Sequence, residues 1–217
     1  MAGKSFINRK LHSLLGVIPI GFFLIEHFIT NFESTKGNEA YIDAVLFLHG
    51  LPFVLLLEIF GIWLPILFHG VYGVYIAFQS RNNVGSYGYH RNYMFMLQRF
   101  TGLATLIFIV WHVWETRVQV ALGNTDVTEL GILMNDILSN PINFTLYVIG
   151  IVAATFHFTN GMWSFLVSWG ITIGPRAQRV SSYVWTVAFF LLAGMAIWAM
   201  FGFVDADFFT KGVEAHG

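Results

Sequence analysis

The chain has 217 residues, of which 56% are hydrophobic and 11% charged, and its net charge is -1. This composition excludes an ordinary water-soluble domain, in which about 25% of residues are charged, and indicates an integral membrane protein. Cysteine is absent, so disulfides, thiolate-bound zinc, iron–sulfur clusters and covalent c-type haem attachment are excluded as well.

Five apolar stretches approach or exceed the roughly 20 residues that a helix needs to cross a membrane. In chain order they run from Leu11 to Asn31, Phe53 to Phe78, Phe100 to Leu122, Ile142 to Ile173 and Tyr183 to Val204. No cleavage site follows the first stretch, so we expect it to be a retained span. The segments Ala40 to Leu51 and Val127 to Leu138 have apolar residues near helical spacing and predict short helices packed on the bundle or along the membrane surface.

The fold class that follows is all-α integral membrane, a bundle of five transmembrane helices. No repeat, low-complexity tract or linker divides the sequence, so we expect residues 1–217 to form a single membrane domain.

The charged residues predict the orientation of the five spans. Eight of the eleven basic residues fall on one side: Lys4, Arg9, Lys10, Arg81, Arg91, Arg99, Arg176 and Arg179. The other side takes ten of the twelve acidic residues: Glu33, Glu39, Asp43, Glu115, Asp126, Glu129, Asp136, Asp205, Asp207 and Glu214. By the positive-inside rule, the N-terminus is predicted in the cytoplasm and the C-terminus outside.

His27, His69, His112 and His157 each lie within a different one of the first four predicted spans, and His12 lies at the cytoplasmic border of the first. Ionisable groups inside a membrane are costly, so they are functional candidates. Imidazoles on facing helices can hold a haem b with one nitrogen on each face of the iron, and four such ligands predict two haems b. Because protein then fills both axial positions, electron transfer is favoured over oxygen chemistry. The remaining histidines outside the spans, His49, His90 and His216, are predicted to be surface residues.

Depth in the membrane predicts how these four ligands pair. At about 1.5 Å per residue, His27 lies near the outer end of its span, while His69 lies beyond the midpoint toward the cytoplasm. The depth-matched pairs are His27 with His112 for an outer haem and His69 with His157 for an inner haem.

Two glycines agree with this pairing. Gly16 shares the helical face of His27 about 16 Å further inward, and Gly150 shares the face of His157 about 10 Å further outward. Each could clear space for the other haem, although helix–helix packing uses small residues equally.

Two carboxyl groups, Glu26 and Glu58, lie inside the spans, whereas Glu115 follows the point at which the apolar part of the third span stops, at Trp114. A carboxylate inside a span can exchange protons with a quinone. Glu58 is eleven residues before His69, nearly on one helical face and about 16 Å nearer the exterior. This places it near the expected level of the outer haem and makes it the catalytic candidate, while Glu26 is as easily explained as a structural carboxyl. Candidate propionate partners lie at the cytoplasmic border: His12, Ser13, Arg81, Tyr89, Arg91, Arg99 and Arg176.

Several motifs resemble those of a known family. They are Leu11-His12-Ser13-Leu14-Leu15-Gly16, His69-Gly70-Val71-Tyr72-Gly73, Trp111-His112-Val113-Trp114-Glu115-Thr116-Arg117 and Phe156-His157-Phe158-Thr159-Asn160-Gly161. They resemble the di-haem cytochrome b558 membrane-anchor subunits of succinate dehydrogenase, Bacillus type. The resemblance covers nearly the whole chain, including Gln98-Arg99 and Pro175-Arg176.

The resemblance implies a multi-pass protein of the bacterial cell membrane, in contact with lipid. It implies a flavoprotein subunit and an iron–sulfur subunit on the cytoplasmic side, one of which carries the succinate site, and transfer of electrons through two haems b to menaquinone. Fumarate reduction is the same reaction in reverse. It also implies that His69 and His157 bind an inner haem of higher potential, and His27 and His112 an outer haem of lower potential. No nucleic-acid partner is expected.

Two other functions are compatible with parts of the pattern. The cytochrome b of a hydrogenase or formate dehydrogenase would receive electrons at the outer face, whereas the basic loops 81–99 and 174–179 offer a docking face on the inside. A proton-coupled transporter could use histidines and carboxylates as a relay, but it would show no haem bands in a visible spectrum.

Overall fold

The computed structural model describes residues 2–81 and 83–211, with side chains from Ser5 onward, and these residues form helices and no strands. The α-helices are α1 (Ala2–Val17), α2 (Pro19–Phe32), α3 (Asn38–His49), α4 (Val54–Leu57), α5 (Leu64–Gln79), α6 (His90–Glu115), α7 (Arg117–Ala121), α8 (Leu130–Ser139), α9 (Pro141–Ser168) and α10 (Pro175–Phe203). Short 3-10 helices cover Glu33–Lys36 and Val127–Glu129, and a π-helical turn covers Glu58–Trp63.

Five helical stretches within the described residues are long and apolar enough to cross a membrane. They run Ser5–Lys36, Val54–Gln79, His90–Ala121, Pro141–Ser168 and Pro175–Phe203. The five predicted spans are therefore confirmed. The exposed fractions of Phe22, Ile107 and Leu191 are 75%, 72% and 69%, as expected for apolar helix faces that contact lipid.

Several helices begin or end at other residues than the predicted spans, and local backbone chemistry explains three of these differences. The fourth ends at Ser168 rather than Ile173, because Gly170 has a φ of 71° and so leaves the right-handed helical region. The fifth begins at Pro175 rather than Tyr183, because proline is favoured in the first helical turn. The third begins at His90 rather than Phe100, since the polar residues before Phe100 also continue the helix.

Two of the spans contain an interruption. Pro19, which cannot donate a backbone hydrogen bond, separates α1 from α2. In the second span the π-helical turn Glu58–Trp63 lies between α4 and α5. π-Helical turns are rare in proteins overall, and those that occur are often found at functional sites.

The chain divides into two compact units. The first comprises Met1–Leu24, Leu56–Leu106 and Ala153–Leu191, and the second Ile25–Leu55, Ile107–Val152 and Leu192–Gly217. The four candidate haem ligands divide equally between the units, with His69 and His157 in the first and His27 and His112 in the second. That residues 1–217 form one domain stays a prediction.

The short helices α3 and α8 belong to the second unit and contact each other. They confirm the helices predicted around residues 40–51 and 127–138. Tyr41 on α3 and Leu138 on α8 are 5% and 2% exposed, and the Tyr41 ring packs edge-on against Phe203, with ring centres 4.8 Å apart. These helices therefore pack against protein through their apolar side chains.

Candidate haem-binding sites

The first unit brings together the rings of His69, on α5, and His157, on α9. Their ring centres are 6.1 Å apart, and the ring planes meet at 82°. A histidine nitrogen binds a metal at about 2.0 Å, so two imidazoles on opposite faces of one iron have centres about 6 Å apart. This separation matches that requirement.

Backbone carbonyl groups orient both rings. Nδ1 of His69 lies 2.8 Å from the carbonyl oxygen of His12, and Nδ1 of His157 lies 3.0 Å from that of Gln98. A carbonyl oxygen only accepts, so each Nδ1 carries the proton and donates it. The unprotonated Nε2 of each ring is then the atom that can bind a metal.

Two glycines give these rings the space that they occupy. A Cβ atom at Gly16 would overlap the ring of His69, and one at Gly102 would lie 2.7 Å from Cε1 of His157. Gly16 thus lies at the His69 site. The sequence predicted that it clears space for the inner haem, which is the haem expected between His69 and His157. Gly102 was missed, although a glycine within an apolar span was a visible signal.

Two polar residues flank this pair. The ring of His12 stacks on that of His69, with centres 4.0 Å apart and planes 7° apart. The side-chain amide of Gln98 donates to the carbonyl of His157 at 2.9 Å and accepts from Nδ2 of Asn160 at 2.6 Å. His12 and Gln98 therefore fix both the tautomers and the surroundings of the two rings.

The second unit brings together the rings of His27, on α2, and His112, on α6. Their centres are 5.8 Å apart, with planes at 70°, again close to the spacing of two axial ligands. Asn31 donates to the carbonyl of His27 at 2.7 Å, and its Nδ2 lies 3.4 Å from the ring nitrogens of His27. These are the two pairs drawn from membrane depth; that they bind haem stays a prediction.

Aromatic rings enclose the His112 side of this pair. Nδ1 of His112 lies 3.3 Å from the hydroxyl of Tyr147, which donates to Oε2 of Glu115 at 3.3 Å. The ring of Phe108 stacks near His112, with centres 5.8 Å apart. A Cβ atom at Gly150 would overlap Phe108, so Gly150 makes room for that side chain. No sequence signal singled out Tyr147 or Phe108, because aromatic residues make up 18% of the chain.

The two pairs suit a haem better than a free metal ion. Within the described ranges 2–81 and 83–211, no three His, Cys, Asp or Glu side chains gather as a possible metal site. A structural zinc site needs about four protein ligands, whereas a porphyrin supplies four nitrogens and leaves two axial positions. Two facing imidazoles fit those positions, and in the first pair the protonated Nδ1 atoms leave Nε2 as the atom that can bind the iron.

The two candidate carboxyl groups, Glu26 and Glu58, have different surroundings. Glu26, in the second unit, accepts a hydrogen bond from Oγ1 of Thr30 at 2.6 Å within its own helix, which favours a structural role. Glu58 belongs to the first unit and begins the π-helical turn, where it is half-buried. That Glu58 lies near the level of the outer haem, the haem expected between His27 and His112, stays a prediction.

Basic residues of the first unit contact aromatic rings and backbone oxygens. Lys10 donates to the carbonyl of Ser168 at 2.6 Å, and the guanidinium carbon of Arg91 lies 3.6 Å from the centre of the Trp163 ring. Arg99 donates to the carbonyl of Ser80 at 2.8 Å. Of the other residues singled out in the sequence, Glu214 and His216 lie outside the residues that the structure describes.

Comparison with known proteins agrees with this geometry. Residues 80–196 match the family described as the succinate dehydrogenase/fumarate reductase transmembrane subunit. The chain is also 50% identical over 204 residues to the succinate dehydrogenase cytochrome b558 subunit of Bacillus subtilis (strain 168), covering 93% of this chain and 98% of that protein. These similarities favour an anchor of this kind over a hydrogenase-type cytochrome or a transporter. The chain belongs to the family of succinate dehydrogenase/fumarate reductase transmembrane subunits, as a multi-pass membrane protein of bacterial origin.

Proposed function

We propose that this chain anchors succinate dehydrogenase to the cell membrane and passes its electrons through two haems b to menaquinone. The observation that carries the proposal is the facing of four in-span histidines in two pairs, with ring centres 6.1 and 5.8 Å apart. The similarity to a protein named as a cytochrome b558 subunit supports it.

His69 and His157 would hold one haem, and His27 and His112 the other. When bound, each haem would supply a one-electron carrier with both axial positions filled by histidine, which suits electron transfer. The chain's own part is to orient the ligands. The carbonyls of His12 and Gln98 hold the protons of the first pair on Nδ1.

The orientation and the partners follow from charge. The positive-inside rule puts the basic segments 81–99 and 174–179, which include the first turns of α6 and α10, in the cytoplasm. There they would offer a docking face to a flavoprotein subunit and an iron–sulfur subunit. The chain contains no cysteine, so iron–sulfur clusters would belong to a partner, and the flavin would belong to the flavoprotein subunit. On this topology the His69/His157 site is the one nearer the cytoplasm.

Menaquinone would be reduced near the outer face, with Glu58 exchanging protons with it. The in-span position of this carboxyl and its place in a π-helical turn support that role. Electron movement toward an outer site would be coupled to the membrane potential, which contributes about 2.3 kcal/mol per charge per 100 mV.

A purified complex tests this function. We expect two b-type haems per chain in the dithionite-reduced spectrum, co-purification of two larger subunits, and succinate-dependent reduction of menaquinone. His49→Ala, a change outside both pairs, serves as the control and should retain both haems. Absence of haem bands would disprove the proposal. So would a content of one haem per chain that no substitution of a histidine in the two pairs lowers.

A further inference from the structure

A buried phenol connects one candidate ligand to a carboxylate. Tyr147 is 3% exposed, and its hydroxyl lies 3.3 Å from Nδ1 of His112. The rings of Trp111 and Phe108 pack against it, with centres 5.0 and 5.3 Å from its own. All of these residues belong to the second unit.

The directions of the two hydrogen bonds follow from the groups involved. The hydroxyl of Tyr147 donates to Oε2 of Glu115 at 3.3 Å. Its proton is then committed, so the phenol oxygen accepts from Nδ1–H of His112. Nε2 of His112 is left without a proton, in a ring whose centre lies 5.8 Å from that of His27.

The other pair has a different arrangement. Nδ1 of His69 and Nδ1 of His157 donate to backbone carbonyls, which are neutral acceptors. Behind His112 the acceptor is a phenol that is itself bonded to a carboxylate. Hydrogen bonds polarise one another along such a chain, so His112 gains more negative character than a carbonyl would give it.

We propose that Tyr147 and Glu115 form a relay behind His112 that lowers the reduction potential of the haem held by His27 and His112. This inference rests on the proposed function. A more basic imidazole stabilises the oxidised, more positive iron relative to the reduced iron, and hydrogen bonding beyond the ligands is a recognised means of tuning a haem. Tyr147 and Glu115 are positioning residues, because they act through His112.

The test is a potentiometric titration of the purified complex, followed in the visible spectrum. Loss of one spectral component in His112→Ala assigns that component to the relay site. Tyr147→Phe removes the hydroxyl and keeps the ring. We expect the potential of the assigned haem to rise by about 59 mV, which is a tenfold change in a one-electron equilibrium. The haem of the His69/His157 pair should shift by less than half as much and is the internal control.

A second variant separates the relay from a simple field effect. Glu115→Gln removes the charge with little change of shape, and we expect it to raise the same potential. In a Tyr147→Phe background it should produce less than half of that shift, because the connection to His112 is already broken. A shift of half or more in that background overturns the relay.

Matched controls come from the same unit. Tyr41→Phe removes another buried phenol hydroxyl, from a residue that is 5% exposed, and Glu33→Gln removes a carboxylate that is paired with Lys36 at 2.6 Å. Neither should move the potential. An unchanged potential in Tyr147→Phe with both haems retained overturns the proposal. If Tyr147→Phe loses the haem, the proposal is tested by Glu115→Gln alone. A potential that does not rise in Glu115→Gln then overturns the proposal. The proposed function fails separately, if the parent complex lacks two haems.

Discussion

The backbone carbonyl of His12 accepts a hydrogen bond from Nδ1 of His69 at 2.8 Å, although the two residues are 57 positions apart in the chain. The same residue also stacks its own ring on His69. One turn further along α1, Gly16 lets the two helices approach closely enough for both contacts. The orientation of the His69 ring, a candidate haem ligand, is therefore set by an adjoining helix.

Substitution of Gly16 by alanine should remove the haem of the His69/His157 site, because the new methyl group would overlap the His69 ring. We expect the haem content of the purified complex to fall from two to one per chain. Gly194→Ala is the matched control, since a Cβ atom there meets nothing within 4 Å. Two haems with an unchanged spectrum in Gly16→Ala would show that the ring has room to move.

Gly102→Ala tests the opposite ligand in the same way. A Cβ atom at Gly102 would lie 2.7 Å from Cε1 and 3.0 Å from Nδ1 of His157, so the ring must turn and lose its bond to the Gln98 carbonyl. We expect loss of the same spectral component that Gly16→Ala removes. Loss of the other component instead would mean that His69 and His157 do not share a haem.

Direct removal of the ligands tests both pairs. His69→Ala and His157→Ala should each abolish one spectral component and spare the other, while His27→Ala and His112→Ala should do the reverse. The readout is the reduced-minus-oxidised spectrum of the isolated membranes. If His69→Ala and His27→Ala abolished the same component, the pairing would be wrong.

Length and hydropathy were sufficient to predict the five spans, because a membrane helix must be apolar over its whole length. They could not place the ends. The segment from Pro175 to Tyr183 is too polar for a span by composition, yet it continues α10 as a helix. Proline early in a helix and glycine after its end are local signals, and at Pro175 and Gly170 they decided the boundary.

The sites were predictable only in part. The four histidines, each in a different span, can be read directly from the sequence. Their expected depth in the membrane suggested the two pairs that the structure brings together. The carbonyl acceptor of Gln98 has no sequence signature, because every residue carries one. Tyr147 and Glu115 meet through the packing of α9 against α6, and long-range contacts of this kind cannot be read from spacing.

Haem binding should also control assembly of the complex. A ligand that binds only the folded state stabilises it by mass action, and here the ligand would join pairs of helices within each unit. In haem-deficient cells we expect the two catalytic subunits to accumulate in the cytoplasm, measured by fractionation and immunoblotting. Restored haem synthesis is the control. Stoichiometric membrane-bound succinate dehydrogenase without haem would contradict this expectation.

The role of Glu58 can be separated from that of the ligands. Electrons that enter from cytoplasmic subunits would reach the His69/His157 site first, so a second site is useful only if the acceptor lies beyond it. A quinone there needs a proton donor, and Glu58 is the carboxyl in the π-helical turn of the second span. Glu58→Gln keeps the shape of the side chain but removes its proton exchange, which contributes about 100-fold or more in general acid–base catalysis.

We therefore expect Glu58→Gln to retain both haems and to oxidise succinate with a soluble artificial acceptor at the parental rate, while menaquinone reduction falls by about 100-fold. Glu26→Gln is the matched control, because the Glu26 carboxylate accepts a hydrogen bond from Thr30 within its own helix. It should leave menaquinone reduction nearly unchanged. Both activities are measured on the same purified complex, so a defect in assembly would lower them together. Parental menaquinone activity in Glu58→Gln with both haems present would remove this carboxyl from the mechanism, and with it the main residue-level argument for a quinone site near the outer face.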